Sequence, residues 1–299
     1  MPLDPRAARF LDMMALGRQK HAPRDIHDRR AGLAKLMAFA KADQMSPPGH
    51  DLEIAGVSCR LYAPEGAAAL TPGIVFFHGG GLVAGSLDTH DVIARALCAA
   101  STCRLISVGY RLAPEHPFPA AQDDALAVSR AVKVQAASFG MDAGRLAIMG
   151  ESGGGTLAVL AASKDFALLG LICPVLDFAA ETKSRKEFAE GYLIDRSVME
   201  GDLADLLQGK VRRDDPRVSP LLMADVSHLP PAVIHTAEYD PLRDEGKGFA
   251  AKLERAGLAV THHLHAGMVH NFHALGAIIP QAKAALHQMG VEIGARLKA

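Results

Sequence analysis

The chain has 299 residues, 49% of them hydrophobic and 22% charged, the balance of an ordinary water-soluble chain forming one large α/β domain or two smaller ones. Its formal net charge of -1 implies no basic surface for nucleic acid. No apolar run approaches the ~18 residues of a membrane-spanning helix, and the opening MPLDPRAARF has no basic start followed by an apolar core, so neither a span nor a signal peptide is expected and the cytoplasm is the expected compartment. The four cysteines, Cys59, Cys98, Cys103 and Cys173, include no C-x-x-C pair. They are expected as reduced, partly buried thiols.

In chain order, apolar residues first recur at helical spacing within 1–45, at Leu11, Met14 and Ala15 and again at Leu33, Leu36 and Met37. Pro47-Pro48-Gly49 stops that stretch. Residues 51–62 then read as a strand through Leu52, Ile54, Val57 and Leu61. A regular alternation follows: strand 74–77, helix 92–100, strand 105–108, helix 119–139, strand 146–149, helix 153–162 and strand 168–172. After a break come strand 232–235, helix 244–256, strand 260–264 and a closing helix near 280–297. Short apolar strands alternating with helices predict an α/β fold, a mostly parallel sheet covered on both faces.

The break at 177–218 is polar and charged, with Lys183, Arg185, Lys186, Glu187, Arg212, Arg213, Asp214 and Asp215. It reads as short helices inserted after the carboxyl end of a strand, where ligands bind in open α/β sheets. With the helices of 1–50 it is expected to form a cap over a catalytic domain of 51–299. Phe178, Phe188, Tyr192, Leu193 and Ile194 are its candidates for lining a small pocket.

Two glycine-rich motifs carry the chemistry. Gly150-Glu151-Ser152-Gly153-Gly154 stands between a predicted strand and a predicted helix, the setting of a nucleophile elbow. The tight turn needs small neighbours, and the following helix amino terminus favours developing negative charge at Ser152. His78-Gly79-Gly80-Gly81 follows the strand 74–77. Successive glycines let backbone N–H groups approach an oxyanion, and the residue after the nucleophile, Gly153, supplies a further donor. A serine nucleophile also needs a histidine base and an orienting carboxylate, in the order Ser, Asp or Glu, His. The segment after strand 232–235 offers Glu238, Asp240 and Asp244, the last of which could instead cap the helix beginning there. His262, His263 and His265 fall within a predicted strand, whereas His270 lies in the loop beyond it. No His-x-x-x-His helix or matching cysteine accompanies these histidines, so no metal is expected.

Five blocks, FFHGGGLVAGSLDTHD, VGYRLAPEHPFPAAQDDA, MGESGGG, PAVIHTAEYDPLRDEG and GMVHNF, run in order from 76 to 272. In these the chain resembles the hormone-sensitive-lipase-like family of α/β-hydrolases, which are carboxylesterases. The resemblance implies the α/β-hydrolase fold, a mostly parallel sheet of about eight strands flanked by helices, with a helical cap. It implies Ser152 as nucleophile, His270 as base and Asp240, rather than Glu238, as the carboxylate that orients it. Gly80, Gly81 and Gly153 become the oxyanion donors, and His78 a structural residue. A homodimer through the last strand, near 260–264, is a weaker implication. The family's usual elbow is G-D-S-A-G-G, and its base is usually followed by Gly-Phe. Here Glu151, Gly153 and Asn271 depart from that pattern, and Gly153 is expected to leave room for bulkier acyl groups. The expected activity is hydrolysis of short- to medium-chain acyl esters of small molecules, without metal or organic cofactor. Lactonase, amidase or acyltransferase chemistry uses the same triad. Non-catalytic hormone receptors of this fold lack the base, and epoxide hydrolases and dehalogenases carry aspartate at the elbow.

Overall fold

The structure is a computed structural model that describes residues 2–16, 25–38 and 47–299. Two amino-terminal helices, α1 (Pro5–Leu16) and α2 (Ile26–Ala38), occupy the predicted helical stretch. Most of its remaining positions lie outside the described residues. The predicted strand over 51–62 is instead a hairpin of β1 (Gly49–Ile54) and β2 (Val57–Tyr62). Ala55 and Gly56, at φ 52° and 78°, form its two-residue turn, and positive φ at both centres matches the twist of the strands. No Asn-Gly or Asp-Gly marks the place, which is why the pattern reads as continuous.

The rest follows the predicted alternation: β3 (Thr71–Phe77), α3 (Asp91–Ser101), β4 (Arg104–Val108), α4 (Ala120–Val134), β5 (Met141–Glu151), α5 (Gly153–Ala161) and β6 (Leu168–Ile172). The inserted segment forms α6 (Lys183–Glu187) and α7 (Arg196–Leu207). Then come β7 (Ala232–Tyr239), α8 (Arg243–Arg255), β8 (Val260–Val269) and α9 (Pro280–Lys298). The predicted helix over 119–139 breaks at Gln135, and its last turn is a 3-10 helix.

Among the described residues the eight strands make one sheet, in the order β1-β2-β4-β3-β5-β6-β7-β8. β2 is antiparallel to both its neighbours, and every other pairing is parallel. β3, β6 and the carboxyl-terminal part of β5, from Leu146 on, are buried at every position, as strands covered by two helix layers must be. Phe77, Ile148, Val128, Val132, Phe249 and Leu253 belong to one core, which places α4, α5 and α8 on one side of the sheet. Phe76, Met149, Ile93, Leu97, Met289 and Ile293 belong to the other, beneath α3 and α9. The strand order reverses between β3 and β5. The crevice at such a reversal is where ligands bind in these sheets, and both glycine motifs lie at its mouth.

All four cysteines are free and buried. Among the described residues no helix is long and apolar enough to cross a membrane.

Candidate active site

Ser152 sits between β5 and α5 at φ 51° and ψ -120°, a sparsely populated conformation that costs on the order of 1–3 kcal/mol. The turn holds because nothing larger than hydrogen fits beside it. A Cβ on Gly150 would lie 2.1 Å from the carbonyl oxygen of Gly154, and a Cβ on Gly154 would lie 2.2 Å from that of Phe77. The chain therefore turns sharply, packs back on β3, and lifts the hydroxyl above the sheet.

The loops after β7 and β8 bring the predicted partners to it. The Ser152 hydroxyl is 3.2 Å from Nε2 of His270. Nδ1–H of His270 donates to Oδ2 of Asp240 at 2.8 Å. The other carboxylate oxygen of Asp240 accepts from the amide of Leu242 at 2.8 Å, which fixes the carboxylate plane. Asp240 is fully buried and His270 nearly so. Burial pulls the His270 imidazole down, but the charge and hydrogen bond of Asp240, with help from Glu151 and Glu245, outweigh it, so its pKa rests above the ordinary 6.5. The other two carboxylates are used elsewhere. Glu238 accepts from the Gly267 amide at 2.7 Å and so shapes the approach to His270. Asp244 does not cap its own helix, whose N-cap is Leu242. It accepts from the Ser184 amide at 2.9 Å, tying α8 to α6.

Gly80 and Gly81 face this serine from the β3 loop, at φ 117° and 65°. A side chain on Gly80 would strike the Ala84 carbonyl oxygen at 2.3 Å. Among the described residues neither of their N–H groups has a backbone acceptor. Gly153 completes the set but does not widen the pocket as expected. A Cβ there would meet the backbone of Gly81 and Leu82 at 3.1 Å, and Gly153 does not line the cavity. The place left by the usual alanine is thus taken up by the glycine loop itself.

Beneath that loop lies a buried layer that sequence reasoning only partly saw. The His78 ring stacks between Tyr110, at 4.3 Å, and His90, at 5.2 Å. The Tyr110 hydroxyl donates to the His78 carbonyl oxygen at 2.7 Å, so His78 is structural, as the resemblance implied. Glu151 is fully buried, and both its carboxyl oxygens lack a hydrogen-bond partner. Its nearest polar neighbour is Nε2 of His90 at 3.5 Å. Burial pushes the Glu151 carboxyl up to about 7, against the opposing pull of the His270 charge. Asn271 adopts φ 58°, a left-handed conformation that glycine and asparagine tolerate best, which accounts for asparagine where the family places glycine.

A cavity of about 180 Å³ opens onto Ser152 and His270. Its walls are mostly apolar: Met14 of α1, Leu33 and Leu36 of α2, Val198, Met199 and Leu203 of α7. Phe178, Leu193 and Ile194 line it as expected. Phe188 and Tyr192 do not, because they pack on Tyr239 instead, with ring centroids 5.5 and 5.8 Å away. Arg29 of α2, which the sequence did not single out, pairs with Asp202 and Asp205 of α7. A side chain on Gly81 would strike the Asp202 carboxylate, so this ion pair sits directly above the glycine loop.

Residues 74–274 match the sequence model of a family described as having the alpha/beta hydrolase fold. The chain is 35% identical to an ethyl acetate hydrolase of Pseudomonas putida, over 94% of this chain and 95% of that protein. It is 32% identical to an arylesterase of Saccharolobus solfataricus, over 100% and 99% of the two chains. Among solved structures, an ester-hydrolase from the metagenome of Lake Arreo in Spain, complexed with a bipyridine phosphonate derivative, superposes with a TM-score of 0.93 at 35% identity. That match covers 99% of this chain and 100% of the other. The chain belongs to the alpha/beta hydrolase family, in the group that includes the hormone-sensitive-lipase-like esterases.

Proposed function

We propose that this protein is a serine carboxylesterase acting on short- to medium-chain acyl esters of small molecules. The observation that carries the reading is the buried relay from the Ser152 hydroxyl through His270 to Asp240. As the substrate carbonyl is attacked, Nε2 of His270 takes the proton from the Ser152 hydroxyl, and the neighbouring Asp240 carboxylate stabilises the imidazolium that forms. The N–H groups of Gly80, Gly81 and Gly153 hold the developing oxyanion. Collapse of the tetrahedral species expels the alcohol, which takes the proton from His270, and leaves an acyl group on Ser152. Water then attacks with His270 again as base, releasing the acid. Every step uses groups the chain itself supplies. The ester-hydrolysing names of its relatives support this choice over amide or lactone chemistry on the same residues.

We further propose that α1 and α2, within 1–50, and the segment 177–218 act as one cap on a catalytic domain of 51–299. Residues of α1, α2 and α7 jointly line the cavity, which supports it. A panel of p-nitrophenyl esters, lactones and amides tests the function. Esters should be turned over fastest, and Ser152→Ala should lose on the order of a million-fold in rate. Ester turnover surviving in that variant at more than a few per cent of wild type would remove Ser152 from the role.

A further inference from the structure

We propose that His235, His265 and His273 form a binding site for one divalent transition-metal cation of the zinc type, separate from the triad. One ring nitrogen from each of the three lies within 4.8 Å of the other two. They come from different places: His235 from the middle of β7, His265 from β8, and His273 from the turn after it. No local spacing links positions 235, 265 and 273, so a search for paired histidines on one helix passes over them.

The geometry is close to what a cation requires. Nε2 of His265 lies 2.9 Å from Nδ1 of His235. Two imidazole nitrogens each about 2.0–2.1 Å from a tetrahedral zinc stand a little over 3 Å apart, so the pair need open by only a few tenths of an ångström. One of these nitrogens now carries the shared hydrogen. For both to present lone pairs, that hydrogen must move to the far nitrogen of its own ring, a change of tautomer that releases no proton. Nε2 of His235 is buried and has no hydrogen-bond partner, so that ring has a second nitrogen not otherwise engaged.

His273 gives the most direct sign. It is nearly fully buried, and both its ring nitrogens lack partners among the described residues. Buried polar atoms are ordinarily paired, and an imidazole serving only to fill space between Phe272 and His265 could be replaced by a phenyl ring. The three imidazoles are also held neutral. Burial, with repulsion from surrounding histidines that include His262 and His263, lowers His235 to about 2 and His265 to about 4, and burial with repulsion from His235, His265 and His270 lowers His273 well below 6.5. Neutral imidazole is the ligating form. His265 is only partly buried, which leaves a way in beside the edge strand β8. Around the three, His263 packs edge-on against His235 at 4.8 Å and is itself hydrogen-bonded to Glu292 at 2.9 Å. None of the three lines the substrate cavity.

The test uses the untagged full-length chain, stripped with EDTA and titrated with zinc chloride against a chromophoric chelator. One equivalent should bind. His265→Gln and His273→Phe should each weaken binding at least about tenfold, while His287→Gln, an exposed position on α9, should not. Cobalt loaded into the wild type should give the intense visible bands of a four-coordinate, nitrogen-rich site, a reading that stands even if a variant fails to fold. Failure of the wild type to retain zinc, wild-type affinity in both variants, or only the faint spectrum of six-coordinate cobalt would overturn the proposal.

Discussion

At the scale of single residues, two buried ionisable groups, His270 and Glu151, lie at the foot of Ser152. His270 must be neutral to take the serine proton, and its surroundings hold its pKa above the ordinary 6.5. Ester hydrolysis should therefore fall as pH drops through a value higher than that of free histidine, and a kcat/KM profile with EDTA present should show the limb unchanged. Glu151 is one of the charges that raise His270, so Glu151→Gln should move the same limb to lower pH. The variant has a second consequence. A carboxyl at about 7 when folded against about 4.3 when unfolded keeps its proton in the folded state across that interval. The resulting stability is present below the unfolded value and is lost as pH rises towards 7. Wild type should thus lose on the order of 4 kcal/mol relative to Glu151→Gln across that window, measured by urea unfolding at each pH, with no further change above it. Asp240 and Asp244 separate in the same way. Asp240→Asn should lose roughly four orders of magnitude in kcat, because the imidazole tautomer is no longer fixed. Asp244→Asn disturbs the tie to Ser184 and the ion pair with Arg243, neither of which reaches His270, and should leave kcat near wild type. The reverse order would reassign the carboxylate.

At the scale of elements, the parts of the site on strand ends were legible and the parts made by distant contacts were not. Ser152, Asp240 and His270 each follow a parallel strand, where an apolar run gives way to glycine or polar residues, and the resemblance chose among the carboxylates. The hairpin turn at Ala55 and Gly56 was missed because its positive φ values carry no asparagine or aspartate signal. β8 runs on to Val269, five residues past its expected end, because the segment 265–269 mixes histidine, alanine and glycine with apolar residues. Arg29 was invisible for another reason: its partners stand more than 170 residues away. That contact makes its own prediction. Burial pushes the Asp202 carboxyl up to about 7 even beside Arg29, and it lies next to the Gly81 backbone. In Arg29→Ala that carboxylate, once ionised, faces the developing oxyanion without its counter-ion. Loss of Arg29 also lets the Asp202 carboxyl rise further above 7, so the drop of at least about tenfold in kcat/KM should set in only at still higher pH, and Asp202→Asn in the same chain should restore much of it. An unchanged rate in Arg29→Ala would detach the ion pair from catalysis.

At the scale of the whole molecule, the sheet brings four loops to one end, and residues of α1, α2 and α7 wall a small cavity over them. Such a cavity suits soluble esters of modest size, whereas work at an oil–water interface calls for a broad apolar face. Hydrolysis should therefore fall steeply from short acyl esters to emulsified long-chain lipid. Removing residues 1–45 should flatten that preference and weaken substrate binding, since Met14, Arg29, Leu33 and Leu36 go with them. Faster turnover of the emulsion by the intact chain would contradict the small-cavity reading. The central claim is that Ser152 carries the acyl group, and peptide mass spectrometry after treatment with a phosphonate ester that cannot be hydrolysed off tests it most directly. One phosphonyl group per chain, on the peptide holding Ser152 and matched by complete loss of ester hydrolysis, is the predicted result. Full loss of activity with the label on another residue, or an unlabelled Ser152 in the inactivated protein, would contradict it.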